Sequence, residues 1–198
     1  MSVELVDKRF LGILKTKDVM KPAGITIHYT ADRSPERTVK SLASAGLGYH
    51  YLVDRDGTVF QLADTNRSVS HAGKAMWLEL SNNRSHLAIS LLSWGKLTEL
   101  KDGHCVAWNG LAINKQDIAY RGGFYWDAAT PAQEKALVDL LKVLCFHCID
   151  TADICGHDES AIPPGRKTDP GGVLSMTMSE LRSKLAEEIK SMEVKKIP

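Results

Sequence analysis

His86-Leu87-Ala88-Ile89-Ser90-Leu91-Leu92 is the stretch on which the architecture turns. It is apolar almost throughout and does not alternate. A strand with one wet face alternates with period two; a strand covered on both faces need not. The stretch therefore reads as the central strand of a sheet buried on both sides. Upstream, Gly24-Ile25-Thr26-Ile27-His28-Tyr29 does alternate, with Ile25 and Ile27 on one face and Thr26 and His28 on the other. Between these two, residues 49–53 and 58–62 flank Asp54-Arg55-Asp56-Gly57, a hairpin turn signal. Downstream, Ile154-Cys155-Gly156-His157 reads as a further short strand.

Helices fall between these strands. Ser34-Pro35 is an N-cap followed by proline at the first helical position, and Gly46 is a C-terminal stop, so a helix is predicted over 35–45. Thr130-Pro131-Ala132-Gln133 is a capping box opening a helix that runs to about 148. Thr177-Met178-Ser179-Glu180 is a second capping box, followed by Leu181, Leu185, Ile189 and Met192 on one stripe. Residues 95–125 show weak periodicity and read as long loop with at most a short strand; residues 158–172 read as a Pro/Gly-rich loop. Interleaved strands and helices predict a single α/β domain over 23–193, with a central mixed β-sheet flanked by helices. Residues 1–22 read as an irregular or partly helical lead-in, and 194–198 as a frayed tail.

The length of 198 residues suits one domain with a core large enough to need no crosslinks. Lys+Arg is 25 against Asp+Glu 24, a balance that argues against a protein built to coat nucleic acid or an anionic membrane. The longest apolar stretch, 136–148, is interrupted by Asp139 and Lys142 and is too short to span a bilayer. The first twenty residues carry a charge every few positions, with no uninterrupted apolar run. The expectation is a monomer made in the cytoplasm without a signal peptide, with Cys105, Cys145, Cys148 and Cys155 reduced.

Chemistry gathers where strands end. His28 lies near the end of strand 24–29, His157 directly after the last short strand, and Asp169 twelve residues later in the Pro/Gly loop. Loops at the carboxyl ends of sheet strands are where α/β proteins build sites. Two imidazoles and a carboxylate form a catalytic zinc set that leaves the fourth position for water, whose pKa zinc lowers to about 7. Taken singly, each residue reads more readily as an ordinary surface or hydrogen-bonded histidine or a turn aspartate than as a ligand, and the spacing alone identifies no metal site. A rival set is Cys145 and Cys148 with Cys155 and His157; its C-x-x-C falls in the last turns of an apolar helix, where such thiols face the core. Trp77, Trp94, Trp108 and Trp126 suit either a glycan groove or packing.

Five strings occur in order: Ile-His-Tyr-Thr at 27–30, Gly-Tyr-His-Tyr-Leu-Val-Asp-Arg-Asp-Gly-Thr-Val at 48–59, Ser-His-Ala-Gly at 70–73, Gly-His-Asp-Glu at 156–159 and Arg-Lys-Thr-Asp-Pro-Gly at 166–171. In this order they resemble the zinc-dependent N-acetylmuramoyl-L-alanine amidases, a family with the peptidoglycan-recognition-protein fold. The chain is most similar to the compact amidase-type bacteriophage lysozymes. The resemblance covers residues 24–190. It implies that His28, His157 and Asp169 hold Zn2+, that Lys167 stabilises the tetrahedral oxyanion, and that Tyr49 donates to the metal-bound water or the scissile carbonyl. It places His71 near the substrate groove, as a substrate contact or a structural hydrogen-bond partner. The implied partner is peptidoglycan, cut between N-acetylmuramic acid and L-alanine. The implied setting is phage lysis, with action on the wall after release from the host cytoplasm. The alternatives are a cytoplasmic muropeptide-recycling amidase and a non-catalytic peptidoglycan-binding module.

Two departures from the family stand out. Some members carry a Glu on the strand matching 86–92 to orient the water, where this chain has Ser90. Either Tyr49 and Lys167 suffice, or Asp158 or Glu159 substitutes. The spacing from His157 to Asp169 is long, and the insert at 160–165 is expected to reshape one cleft wall.

Overall fold

The computed structural model describes residues 5–8, 16–147 and 149–194. Its elements, in chain order, begin with Leu5–Asp7 (β1), Gly24–Tyr29 (β2), Pro35–Ala45 (α1), Tyr51–Val53 (β3) and Val59–Gln61 (β4). Met76–Trp77 (β5), Leu80–Ser81 (β6), Asn82–Ser85 (α2), His86–Leu91 (β7), Thr98–Glu99 (β8) and Cys105–Val106 (β9) follow. Ile118–Arg121 (β10), Phe124–Asp127 (β11), Pro131–His147 (α3), Ile154–Gly156 (β12), His157–Ser160 (α4) and Met178–Val194 (α5) complete the order.

Six strands form one sheet in the order β1-β4-β3-β7-β2-β12. Only β3 and β4 pair antiparallel, so the sheet is mixed. β7 is central and all six of its residues are buried, as its unbroken apolar run requires. Leu87, Ile89 and Leu91 join Ile25, Ile27 and Ile154 in the main core, which α3 and α5 cover with Leu137, Leu141, Leu181 and Leu185. At about 1.5–3 kcal/mol for each fully buried Leu or Ile, this layer is the main source of stability. The opposite face carries Leu52 and Leu92 against Leu42 of α1. It also carries the polar positions Thr26, His28 and Ser90, with His28 directly opposite Ser90 in register.

The end signals act as read. Ser34 Oγ accepts from Arg37 N at 3.3 Å, and Gly46 closes α1 at φ 66°. Both capping boxes are reciprocal: Gln133 N donates to Thr130 Oγ1 at 3.1 Å and Thr130 N to Gln133 Oε1 at 3.4 Å. Thr177 N donates to Glu180 Oε2 at 2.7 Å, and Glu180 N to Thr177 Oγ1 at 3.2 Å.

The structure departs from the sequence reading in four places, the smallest being helix α4, which takes up the first residues of the stretch read as loop. Strand β3 begins at Tyr51, not 49, because the ring of His50 takes the Ala88 amide (2.9 Å to Nδ1) that strand backbone would otherwise accept. Residues 5–7 are a strand paired parallel with β4, not irregular or helical; its partner lies 54 residues away, beyond any local pattern. Residues 95–125 hold two hairpins rather than a loop. In the second, Gly122 and Gly123 both have positive φ, as a two-residue hairpin turn demands, and Tyr120 stacks across from Tyr125 with ring centroids 4.8 Å apart. Tyr120 and Phe124 are exposed while Trp126 is buried, and this mix mutes the alternation a strand reading relies on. Helix α3 is described to His147; Cys148 and residues 195–198 lie outside the described residues. Among the described residues, no helix is long and apolar enough to cross a membrane.

Candidate metal centre

Alternation along β2 turns His28 out of the main core and onto the polar face, near the end of the strand. The neighbouring strand β12 ends at Gly156, so His157 opens α4 beside it. Asp169 comes from the Pro/Gly loop and is held there by two contacts. Its carbonyl accepts from Asp158 N at 2.7 Å, and its neighbour Thr168 shares a 2.8 Å hydrogen bond with the Tyr29 hydroxyl. The three side chains converge. Asp169 Oδ2 lies 2.7 Å from His28 Nδ1 and 2.9 Å from His157 Nδ1. All three residues are buried, and their ligand atoms lie within 4.8 Å of one another. Among the described residues this is the one group of three or more His, Cys, Asp or Glu side chains placed to hold a metal ion, so no cysteine belongs to it.

The local field is unusual for a buried carboxylate. Burial alone would raise the Asp169 carboxyl, but the two imidazoles against it hold it well below the ordinary carboxylate range. Burial pushes the His28 imidazole below its ordinary value despite Asp169, and the charge of Lys167 acts in the same direction. A metal binds such groups as neutral imidazoles and an ionised carboxylate, displacing the protons between them. Two nitrogens and one oxygen from three side chains match a catalytic zinc set with one position open. The residues present therefore fit the ion.

The other proposed site residues are placed unequally. The Tyr49 ring centroid is 5.2 Å from that of His28. Burial, and then Asp169, keep its phenol protonated above the usual tyrosine range, so it remains a hydrogen-bond donor. Lys167 is exposed in the loop before Asp169 and lines a cleft of about 570 Å³. Asp158, Thr168, Phe124 and Trp126 line the same cleft. His71 is only 8% exposed, and both of its ring nitrogens face protein: His28 Nε2 at 2.9 Å and the Asn82 carbonyl at 3.1 Å. Glu159 is engaged by Arg182 (2.9 and 3.0 Å) and by Gly156 N. Asp158 faces the cleft, with its carboxyl raised to about 6, by burial first and then by Glu159 and Asp169.

The sequence reading missed three residues here. Asn83 Oδ1 accepts from the amides of His71 and Ala72, both at 2.9 Å. Arg166 NH2 donates to the Ala72 and Lys74 carbonyls at 3.0 and 2.8 Å. Asn82 supplies the carbonyl that receives His71. No local signal marks them, since each acts through backbone brought near by folding. The insert at 160–165 packs against residues 74–75 through Ile162 N and the Ala75–Ala161 bridge.

A family model described as N-acetylmuramoyl-L-alanine amidase matches residues 18–172. No curated protein sequence matches the chain. Among solved structures, the N-acetylmuramyl-L-alanine amidase AmiD from E. coli, in complex with anhydro-N-acetylmuramic acid-L-Ala-D-gamma-Glu-L-Lys, is similar at 21% identity and TM-score 0.60. That match covers 87% of this chain, which spans only 60% of the length of AmiD. The amidase LysC from Clostridium intestinale is similar at 18% identity and TM-score 0.63, over 93% of this chain and 99% of that one. The endolysin amidase LysCS from the same organism matches at 17% identity and TM-score 0.61, over 92% and 95%. These likenesses show the fold.

Proposed function

The chain belongs to the N-acetylmuramoyl-L-alanine amidase family, and from that premise we propose that it is a zinc-dependent hydrolase of peptidoglycan. It cuts the amide between N-acetylmuramic acid and L-alanine, and it acts as a phage endolysin made in the host cytoplasm and released onto the wall. The observation that carries the reading is the convergence of His28, His157 and Asp169, all buried, beside a cleft that holds Lys167. These three residues would hold the zinc. When bound, zinc supplies a Lewis acid for the scissile carbonyl and acidifies a water molecule.

The chain's own groups do the rest. The Tyr49 phenol, protonated and beside His28, is placed to donate to the carbonyl oxygen as negative charge develops. Lys167, two residues before Asp169 in the chain, brings a cation that would stabilise charge on a tetrahedral oxygen. Phe124, exposed on the cleft wall, offers apolar surface to a sugar or peptide. The endolysin setting draws support from the Clostridium intestinale endolysin, which this chain matches over nearly its full length.

Mass spectrometry of purified sacculi tests the reading, with zinc-loaded protein and a chelated control. Zinc-dependent release of stem peptides with a free L-alanine amine is expected. Cleavage of soluble anhydromuropeptides with sacculi left intact would point to recycling instead. Binding to sacculi with no release of either kind would mark a binding module.

A further inference from the structure

We infer that residues 70–83, through His71 and the Ala72 carbonyl, dictate which ring nitrogen each ligand histidine turns to the metal position. His71 is thus a positioning residue and not a substrate contact. The inference rests on the metal reading proposed above.

A carbonyl oxygen only accepts. The Ala72 carbonyl lies 2.9 Å from His157 Nε2, so that nitrogen carries the hydrogen. The Asn82 carbonyl lies 3.1 Å from His71 Nε2, so that one does too. A neutral imidazole has a single N–H. His71 Nδ1 therefore presents a lone pair, and it faces His28 Nε2 at 2.9 Å, which must be the donor. With Nε2 of each engaged, Nδ1 is the nitrogen that His28 and His157 turn to Asp169 Oδ2, at 2.7 and 2.9 Å. A metal bound here takes the place of the hydrogens shared between these atoms.

The frame that sets these directions is itself pinned. Asn83 Oδ1 accepts from the amides of His71 and Ala72, and Asn83 Nδ2 donates to the Gly73 carbonyl at 2.7 Å. Arg166 donates to the Ala72 carbonyl from the far side. Asn82 Nδ2 donates to Thr26 Oγ1 at 2.9 Å and to Ser160 Oγ at 3.0 Å. Thr26 is on β2, which carries His28, and Ser160 is on α4, which carries His157. The outer partners are therefore referenced to the same two elements as the ligands. Metal-binding histidines are held in this way by acceptors for their second nitrogen, and losing one costs about 10–100-fold in metal affinity.

The test is zinc affinity of the full chain, by competition with a chromophoric chelator, combined with 15N NMR of the histidine rings in the zinc-loaded state. His71→Leu removes both roles of the ring; His71→Gln keeps an acceptor toward His28 and a donor toward Asn82. Asn83→Ala releases the frame while leaving His71 in place, and it carries the test if the Leu variant does not fold. Expected are Nδ1 coordination with Nε2–H on both His28 and His157, zinc affinity about 10–100-fold weaker in His71→Leu, partial recovery in His71→Gln, and a loss in Asn83→Ala. A folded His71→Leu that binds zinc within twofold of wild type, or Nε2 coordination in the wild type, overturns this inference and leaves the metal reading standing. A wild-type chain that binds no zinc overturns both.

Discussion

Asp127 and Asp169 are both buried carboxylates on loops or strand ends, and their surroundings differ in one respect. Asp127, fully buried at the end of β11, receives Arg33 Nε at 3.0 Å, Arg33 NH2 at 2.5 Å and Arg55 NH1 at 3.3 Å, and also the Trp94 amide at 2.6 Å. Its charge is met by guanidinium groups that carry their own hydrogens. Asp169 receives two imidazoles whose Nε2 atoms face the Ala72 carbonyl and His71. The first cluster is complete as folded and ties the β10–β11 hairpin to the main sheet. The second gathers two ring nitrogens and a carboxylate oxygen within reach of one metal position. A buried carboxylate is therefore read by what its partners can give up: guanidinium groups keep their hydrogens, and imidazoles release one to a metal.

Crossed substitutions would break this contrast if it is wrong. The largest effect is expected from Asp169→Ala. Zinc binding worth about 10–16 kcal/mol in four-ligand sites puts a single ligand at several kcal/mol, so affinity should fall by roughly 10³-fold or more. Chelator competition measures it. Asp127→Ala should do the reverse. Breaking a buried ion pair costs about 3–5 kcal/mol, and partial exposure of Arg33 and Arg55 (24% and 17%) places it near 3. Its zinc affinity should not move.

Lys167→Ala comes next. It should leave zinc affinity and the unfolding midpoint unchanged and lower kcat on muropeptide by about 10²-fold, as removal of an oxyanion donor does. Wild-type turnover in this variant would remove Lys167 from the machinery. The smallest effect concerns His50, a buried polar group belonging to neither cluster. Its Nε2 donates to the Arg67 carbonyl and its Nδ1 accepts from Ala88 N, a neutral bridge that protonation would break. Burial lowers its pKa to about 4. The unfolded chain takes up this proton as pH falls through about 6.5, and the folded chain refuses it until about 4. The contribution of His50 is thus full well above pH 6.5 and declines toward pH 4, with about 2 kcal/mol of it gone by pH 5. Urea midpoints across that range check it, and His50→Gln, which can still bridge, should flatten the slope.

Much of the scaffold was legible in the chain. The unbroken apolar run at 86–91 and the alternation at 24–29 are local consequences of burial on two faces or one. The caps at Ser34, Thr130 and Thr177 act within a single turn, so neighbouring residues suffice to read them. The hairpin at 118–127 was legible in principle, through Gly122-Gly123 between aromatics, but its half-exposed faces blurred the pattern. Strand β1 was not, because its partner is remote.

The candidate site divides in the same way. His28, His157 and Asp169 could be named from residue type, position after strands and family resemblance. Their convergence within hydrogen-bond distance, the demotion of Glu159 to an ion pair with Arg182, and the turn of His71 toward His28 rather than the cleft could not. By itself the sequence determined which segments become strands and helices and which side chains carry donor atoms, since those depend on neighbours within a few positions. Only the tertiary structure decided where the hydrogens of those donors point. That direction is set by backbone carbonyls, such as those of Ala72 and Asn82, whose place depends on contacts across 11 to 85 residues of chain.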